Sequence, residues 1–170
     1  MTSWRETRSC DIPRVVQVAD CVHPELPEDA SVFAERARIF PEGSLVLVDE
    51  NDTIHGYGVS HPVRHAQPPA LNSLLGEIAA DADQYYIHDI AILPEMRGLG
   101  HAAEVVGRLL KVAERFKWTC LVSVYGTGAF WVRFGFDVEE VDEAMREKGR
   151  GYGDDAVYMR RRNGSAGMKW

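Results

Sequence analysis

The chain has 170 residues, 45% of them hydrophobic and 26% charged, which excludes a disordered or fibrous protein and fits one domain able to bury its own core. A formal net charge of −7 argues against nucleic-acid binding and suits a cationic small-molecule or amine partner, although solubility alone also explains an acidic balance. Three cysteines, Cys10, Cys21 and Cys120, give no even disulfide framework. No apolar run approaches the ~18 residues of a membrane span, and Trp4, Arg5, Glu6 and Arg8 stand where a signal peptide would have an apolar core. A cytoplasmic protein with no membrane partner is expected.

Residues 3–8 read as a short strand. Asp11 is a good helix N-cap, Pro13 is allowed in the first turn, and Val15, Val16, Val18, Ala19 and Val22 form an apolar helical face that Pro24 and Pro27 end. Glu28, Asp29 and Ser31 open a second helix whose expected apolar face is Phe33, Ala37 and Phe40. Residues 44–49 and 53–63 form a hairpin, and Gly56 and Gly58 within it mark close backbone packing or a bulge. Residues 64–84 are a connector long enough to be functional, with a short helix expected over 71–80.

Residues 85–116 organise the chain. Tyr85 to Leu93, rich in β-branched and aromatic residues and bounded by Pro94, reads as a strand. Ala102, Val105, Val106, Leu109, Ala113 and Phe116 recur at helical spacing. Between them lies Arg97-Gly98-Leu99-Gly100-His101-Ala102. A strand, a glycine loop and a helix start suit an anion, because free N–H groups and the helix dipole point at it. This loop is expected to hold a phosphate or pyrophosphate. Gly107, inside the helix, suggests close packing on the sheet. Further on, residues 118–125 read as a strand, 128–134 as a short helix, 137–141 and 155–161 as strands, 142–154 as a charged glycine-rich stretch, and 163–170 as a loose tail.

A Walker loop would need Lys and Ser or Thr after the last glycine, and His101 and Ala102 stand there. Gly98, Gly100 and Ala103 match a dinucleotide fingerprint, but Pro94 to Arg97 separate them from the strand and no acidic residue follows at the required distance. Arg97-x-x-Gly100-x-Ala102 resembles the Arg/Gln-x-x-Gly-x-Gly/Ala signature of the GNAT acetyltransferase superfamily. Ile90 to Glu95 is similar to that family's central strand and its exit, and Phe130 to Phe136 resembles the aromatic-x-x-x-Gly-Phe that ends its fourth helix. The resemblance covers most of residues 3–161. It implies an α/β (α+β) GNAT fold, a single domain over residues 1–162, with a mixed, mostly antiparallel sheet of roughly six to seven strands and about four helices.

It also implies acetyl-CoA as co-substrate and a small-molecule or peptide amine as acceptor. Backbone groups of Ile90, Ala91 and Ile92 would bond the pantetheine arm. Glu95, Met96, Arg97, Gly98, Leu99, Gly100, His101 and Ala102 would wrap the pyrophosphate, and Phe130 and Trp131 would line the cofactor channel or the core. Two positions depart from the family pattern: Trp131 stands where many members place the tyrosine that acts as general acid, and Val124 where an asparagine is often found. Tyr125 is the candidate substitute acid, the alternative being that the thiolate leaves unaided.

Acetyl transfer to an amine needs a base or water relay, an oxyanion donor and positioning. Strict alternation along the strand puts Tyr86, His88, Ile90 and Ile92 on one face and Asp89 on the other. His88 is the candidate base, or else a hydrogen-bonded core histidine. Tyr86 would orient the amine or a water, and Asp89 would be structural. Residues 22–30, 64–84 and 142–154 are expected to line the acceptor site, with Glu25, Glu28, Asp29, Asp142 and Glu143 suited to a cationic amine if they face the cleft. His55, His61 and His65 have loosely metal-like spacing without supporting ligands, so no metal is expected. The competing reading is a non-catalytic acyl-CoA-binding or interaction module. A homodimer is left open.

Overall fold

A computed structural model describes residues 1–164. Its strands are β1 (Ser3–Glu6), β2 (Ser44–Val48), β3 (Ile54–Val63), β4 (Gln84–Ile92), β5 (Trp118–Ser123), β6 (Asp137–Val138) and β7 (Val157–Arg162). Its helices are α1 (Ile12–Val22), α2 (Ala30–Ile39), α3 (His101–Ala113), α4 (Gly128–Val132) and α5 (Glu143–Gly149). All seven strands join one sheet in the order β1-β2-β3-β4-β5-β7-β6. Only β4 and β5 run parallel; the other neighbours are antiparallel. The expected mixed, mostly antiparallel α/β sheet is present, flanked by five helices among the described residues. No helix among the described residues is long and apolar enough to cross a membrane.

Helices cover both faces of the sheet. On one, Val105, Val106 and Leu109 of α3 pack on Leu45, Leu47, Tyr85 and Ile87, with Trp131 and Phe136 closing the end. On the other, Val15 and Val18 of α1 and Phe33 of α2 pack on Val46, Tyr57 and Ala91. Gly58 lets α3 approach, since a Cβ there would lie 3.1 Å from Val105 Cγ2. Gly107 has no such role: it is exposed, and an added Cβ would meet nothing within 4 Å.

The second helix buries Phe33 as expected, but the rest of its buried face differs from the one expected. Val32, Phe33, Glu35 and Arg36 point inward, while Ala37 and Phe40 are only partly covered. The reason lies in the connector, residues 64–84, which forms turns and no helix at 71–80. Its backbone must be satisfied by side chains. Glu35 accepts from the amides of Leu75 (2.6 Å) and Gly76 (3.0 Å), and Arg36 donates to Ser73 O (3.0 Å) and to Glu35 (2.8 Å). Glu28 accepts from the Asn72 amide (3.0 Å), Asn72 Oδ1 accepts from the Asp29 amide (2.8 Å), and Tyr152 donates to Pro69 O (2.8 Å). The charged stretch after β6 holds α5, capped by Asp142, which accepts from Met145 N (2.9 Å). Asn163 is not part of a loose tail. It accepts from Thr119 Oγ1 (2.8 Å) and donates to Ala113 O (2.9 Å) and Phe116 O (3.0 Å). Residues 165–170 lie outside the described residues.

Arg36 is fully buried and already paired, so removing its charge strands Glu35. Arg36→Ala should lower the unfolding free energy by about 3–5 kcal/mol, read as a fall in the urea midpoint at unchanged slope.

Candidate active site

The site begins with a change of phase in β4. Asp89 pairs with Val59 and Ile87 with Ser60, so His88 is an extra residue, a β-bulge. Beyond it the strand faces the opposite way from the alternation expected. Tyr85, Ile87, Ile90 and Ile92 all pack toward α3. Ala91 packs toward α1, and Asp89 accepts a short hydrogen bond from Tyr57 on that same side. Ile90 and Ile92 therefore do not share a face with Tyr86, and Asp89 is not set apart from His88.

The bulge also marks where β4 and β5 part. Their parallel pairing runs from Gln84↔Trp118 to Ile87↔Leu121 and stops. From His88 to Ile92, β4 is paired only with β3. The backbone edge of Ile90, Ala91 and Ile92 toward β5 is left without a strand partner. A cleft of about 760 Å³ occupies this opening.

One arm of the cleft runs over the glycine loop. Met96, Arg97, Gly98, Gly100, His101, Ala102, Phe130 and Trp131 line it, with the side chains of Ile90 and Ile92 at its floor. Gly98 (φ 76°) and Gly100 (φ 86°) are left-handed, which accounts for both glycines. Gly100 is the N-cap of α3, and no side chain caps that helix. Its first amides are thus free for an anion. Arg97 is tethered by Nε to Ile92 O (3.1 Å). Among the other expected loop residues, Glu95 and Leu99 are exposed outside the cleft and the Ala91 side chain lies in the opposite core. Trp131 is almost buried, edge-on to Phe130 and Phe136.

The other arm holds ionisable groups. His88 Nε2 lies 2.7 Å from Glu28 Oε1, and their side chains are only 1% and 5% exposed. With an N–H at Nε2 donated to Glu28, Nδ1 keeps a free lone pair, and Nδ1 is buried with no partner. His23 Nε2 lies 2.9 Å from Asp89 Oδ1, and the His23 ring stacks on Tyr125 at 5.6 Å. Burial opposes the charge on His23, but the Asp89 carboxylate outweighs it and holds the imidazole pKa above 6.5. Burial likewise opposes the charge on Asp89, and His23 and Tyr57 together keep its pKa below the usual carboxylate value.

Tyr125, in left-handed backbone at φ 54° and 44% exposed, reaches the cleft where β5 ends. Tyr86 does not reach it. It is fully buried beside Tyr152, and desolvation pushes its phenol pKa well up. Of the five acidic residues suited to an amine, only Glu28 lines the cleft. Glu25 is exposed, Asp29 meets Asn72, Asp142 caps α5, and Glu143 faces Arg150. His55 pairs with Asp49, His65 with Gln84, and burial lowers the His61 pKa to about 3. Among the described residues no group of three or more possible ligands could hold a metal.

The segments expected to line the acceptor site contribute Val22, His23, Leu26, Glu28, Leu71 and Tyr152 to the cleft, but sequence reasoning missed the pairing of His23 with Asp89 and of Glu28 with His88. The available signal was the stretch His23-Pro-Glu-Leu-Pro-Glu28, an irregular segment with ionisable groups at both ends.

The fold is a mixed α/β domain whose cleft has an uncapped helix start and glycine loop on one side and paired ionisable groups on the other. The sequence matches the model of the acetyltransferase (GNAT) family over residues 5–136, and the chain belongs to that family. No curated protein matches it in sequence. Similar solved structures include the loading GNATL domain of CurA from Lyngbya majuscula, at TM-score 0.79 and 14% identity over 95% of this chain and 98% of that one. The GNAT-like decarboxylase GphF, solved with isobutyryl-CoA, has TM-score 0.77 and 14% identity over 94% and 98%. The ribosomal-protein-S18-alanine N-acetyltransferase from Escherichia coli has TM-score 0.66 and 14% identity over 100% and 99%. At these identities the likeness is one of fold.

Because folded His23 holds its proton above pH 6.5, the contribution of its pair with Asp89 to stability is complete below that pH and is lost as pH rises through the folded value. An NMR titration should give His23 a midpoint above 6.5. Asp89→Asn should lower that midpoint.

Proposed function

We propose that the protein transfers an acetyl group from acetyl-CoA to a primary amine by direct attack in a ternary complex. The observation behind this reading is His88: a nearly buried imidazole, oriented by Glu28, at the point where β4 and β5 separate. The open edge of Ile90–Ile92 suits an amide-bearing arm, and the left-handed loop leading into an uncapped helix suits a pyrophosphate. Solved structures of the same fold include N-acetylglutamate synthase from Neisseria gonorrhoeae complexed with coenzyme A and N-acetylglutamate, at 18% identity and TM-score 0.65 over 95% of this chain and 35% of that one.

In this reading His88 Nδ1 takes the proton from the attacking amine, and Glu28 balances the imidazolium that forms. The nitrogen–carbon bond forms as the carbon–sulfur bond breaks. Unpaired N–H groups on the β4 edge are the available donors to the developing oxyanion. The departing thiolate can take a proton from Tyr125 or from water. The Tyr125 phenol is held above its usual pKa by burial, then by nearby Glu25 and Asp89, and so remains protonated near neutral pH. Trp131 has no acidic proton to offer. That substitution favours one second reading, an acyl-CoA-binding module without turnover.

His88→Ala should cut turnover roughly 10²–10⁴-fold and leave acetyl-CoA affinity nearly intact, with the loss shrinking at high pH where free amine is abundant. An unchanged pH–rate profile would make His88 structural. Tight acetyl-CoA binding in calorimetry with no thiol release for any amine would favour the module.

Gly100→Val tests the other arm. Its left-handed backbone should cost about 1–2 kcal/mol of stability, and calorimetry should show weakened acetyl-CoA binding.

A further inference from the structure

The turn between β5 and α4 contains an unfavourable residue choice. Thr127 N donates to Val124 O (3.1 Å), which closes a turn whose central residues, Tyr125 (φ 54°) and Gly126 (φ 69°), are both left-handed. A turn of that shape favours Gly, Asn or Asp at both central positions. Gly126 fits the rule and Tyr125 breaks it. The Cβ of an L-residue crowds the following carbonyl oxygen there, and strain of this kind persists only where the surrounding structure holds it. Closing the turn needs no phenol, because the Thr127 hydroxyl also donates to Val124 O (2.8 Å). The Tyr125 side chain instead lines the cleft.

A chain of contacts that starts in the core reaches this ring. Tyr57 donates to Asp89. Asp89 Oδ1 lies 2.9 Å from Nε2 of His23, the residue that caps the end of α1. The His23 ring lies parallel to the Tyr125 ring, with 5° between the planes and 5.6 Å between the centroids. The four residues come from β3, β4, the end of α1 and the turn after β5. They meet only in the folded chain, and the bulge at His88 is what turns Asp89 to this side.

We propose that His23 is a positioning residue for Tyr125: fixed by Asp89, its imidazole supports the phenol ring at the cleft, where the phenol protonates the departing thiolate. This rests on the transferase reading above and chooses between the proton sources left open there. As the carbon–sulfur bond breaks, its electron pair goes to sulfur. The phenol O–H bond breaks, and its proton passes to sulfur. The phenolate regains a proton from solvent, which reaches the exposed side of the ring. A ring free to swing away would present its hydroxyl to sulfur only part of the time. His23 itself does not touch the reacting atoms.

The test is thiol release from acetyl-CoA with the fastest of butylamine, phenethylamine, spermidine, glutamate and a peptide with a free N-terminal methionine. Tyr125→Phe should lower kcat by roughly 10²-fold or more, the ordinary contribution of a general acid. His23→Gln keeps an N–H for Asp89 and removes the ring. It should lower kcat by roughly 10- to 10²-fold while the KM for acetyl-CoA moves by less than about threefold. The losses should not multiply, so the double variant should stay within about threefold of Tyr125→Phe. His23→Phe combined with Asp89→Asn restores a flat ring without stranding a carboxylate, and should return kcat to within about fivefold of the wild type. In the wild-type protein with acetyl-CoA bound, NMR should show Overhauser contacts between the ring protons of His23 and Tyr125, a measurement that requires no variant to fold. An unchanged kcat in folded His23→Gln, a loss confined to KM, losses that multiply, no recovery with the restored ring, or absent ring contacts each overturn the assignment and leave acetyl transfer standing. Binding of acetyl-CoA without thiol release for any of these amines overturns the transferase reading and this inference with it.

Discussion

The fold accommodates two adjacent polar residues, His88 and Asp89, in the middle of an apolar central strand. Strict alternation would aim one of them at Val105, Val106 and Leu109, where nothing could pair with it. An unpaired polar group in such a place costs several kcal/mol, on the order of 2–7. One extra residue in β4 removes the conflict. Asp89 turns toward Tyr57 and His23, while Ile90 and Ile92 continue the apolar row begun by Tyr85 and Ile87. The same bulge coincides with the end of pairing to β5. The ionisable groups and the unpaired backbone edge thus share one cause.

The polar groups around the bulge are paired closely because they are buried. Glu28 and His88 are both nearly inaccessible, and each would be costly alone. Such pairs contribute little net stability, but they fix which atoms point where. Here Glu28 is held by the Asn72 amide on one oxygen and faces His88 with the other. The imidazole is oriented from behind, and its free nitrogen is set by that constraint. His23 repeats the pattern, with Asp89 behind it and Tyr125 stacked on its face.

Most of the architecture was legible in the residue pattern, because the strands and long helices follow simple periods. The strand was readable to within one residue at each end and the helix start to the residue, whereas α3 ends at Ala113, three positions before the expected Phe116; the left-handed glycines lie where the loop was expected. The face assignments in β4 failed because alternation was assumed to continue through His88-Asp89. Two consecutive polar residues flanked by apolar ones on both sides were the visible trace of a phase slip. The buried face of α2 was misread for a related reason. Glu35 and Arg36 look like surface residues until the connector that needs their hydrogen bonds is placed against them. Glu28 and His88 are 60 positions apart, a pairing that no local pattern displays.

The connector has a consequence for the order in which the molecule assembles. Its ties reach back to residues 28–36 and forward to Tyr152, which is 83 positions from Pro69. Contacts across such separations form after the local ones, because the chain between them must first be ordered. The strand, loop and helix of the glycine arm, by contrast, follow one another directly in sequence. On this physical ground the glycine-loop side of the cleft can begin to form early, while the side walled by Leu71 and Tyr152 waits for the segment around Tyr152 to dock.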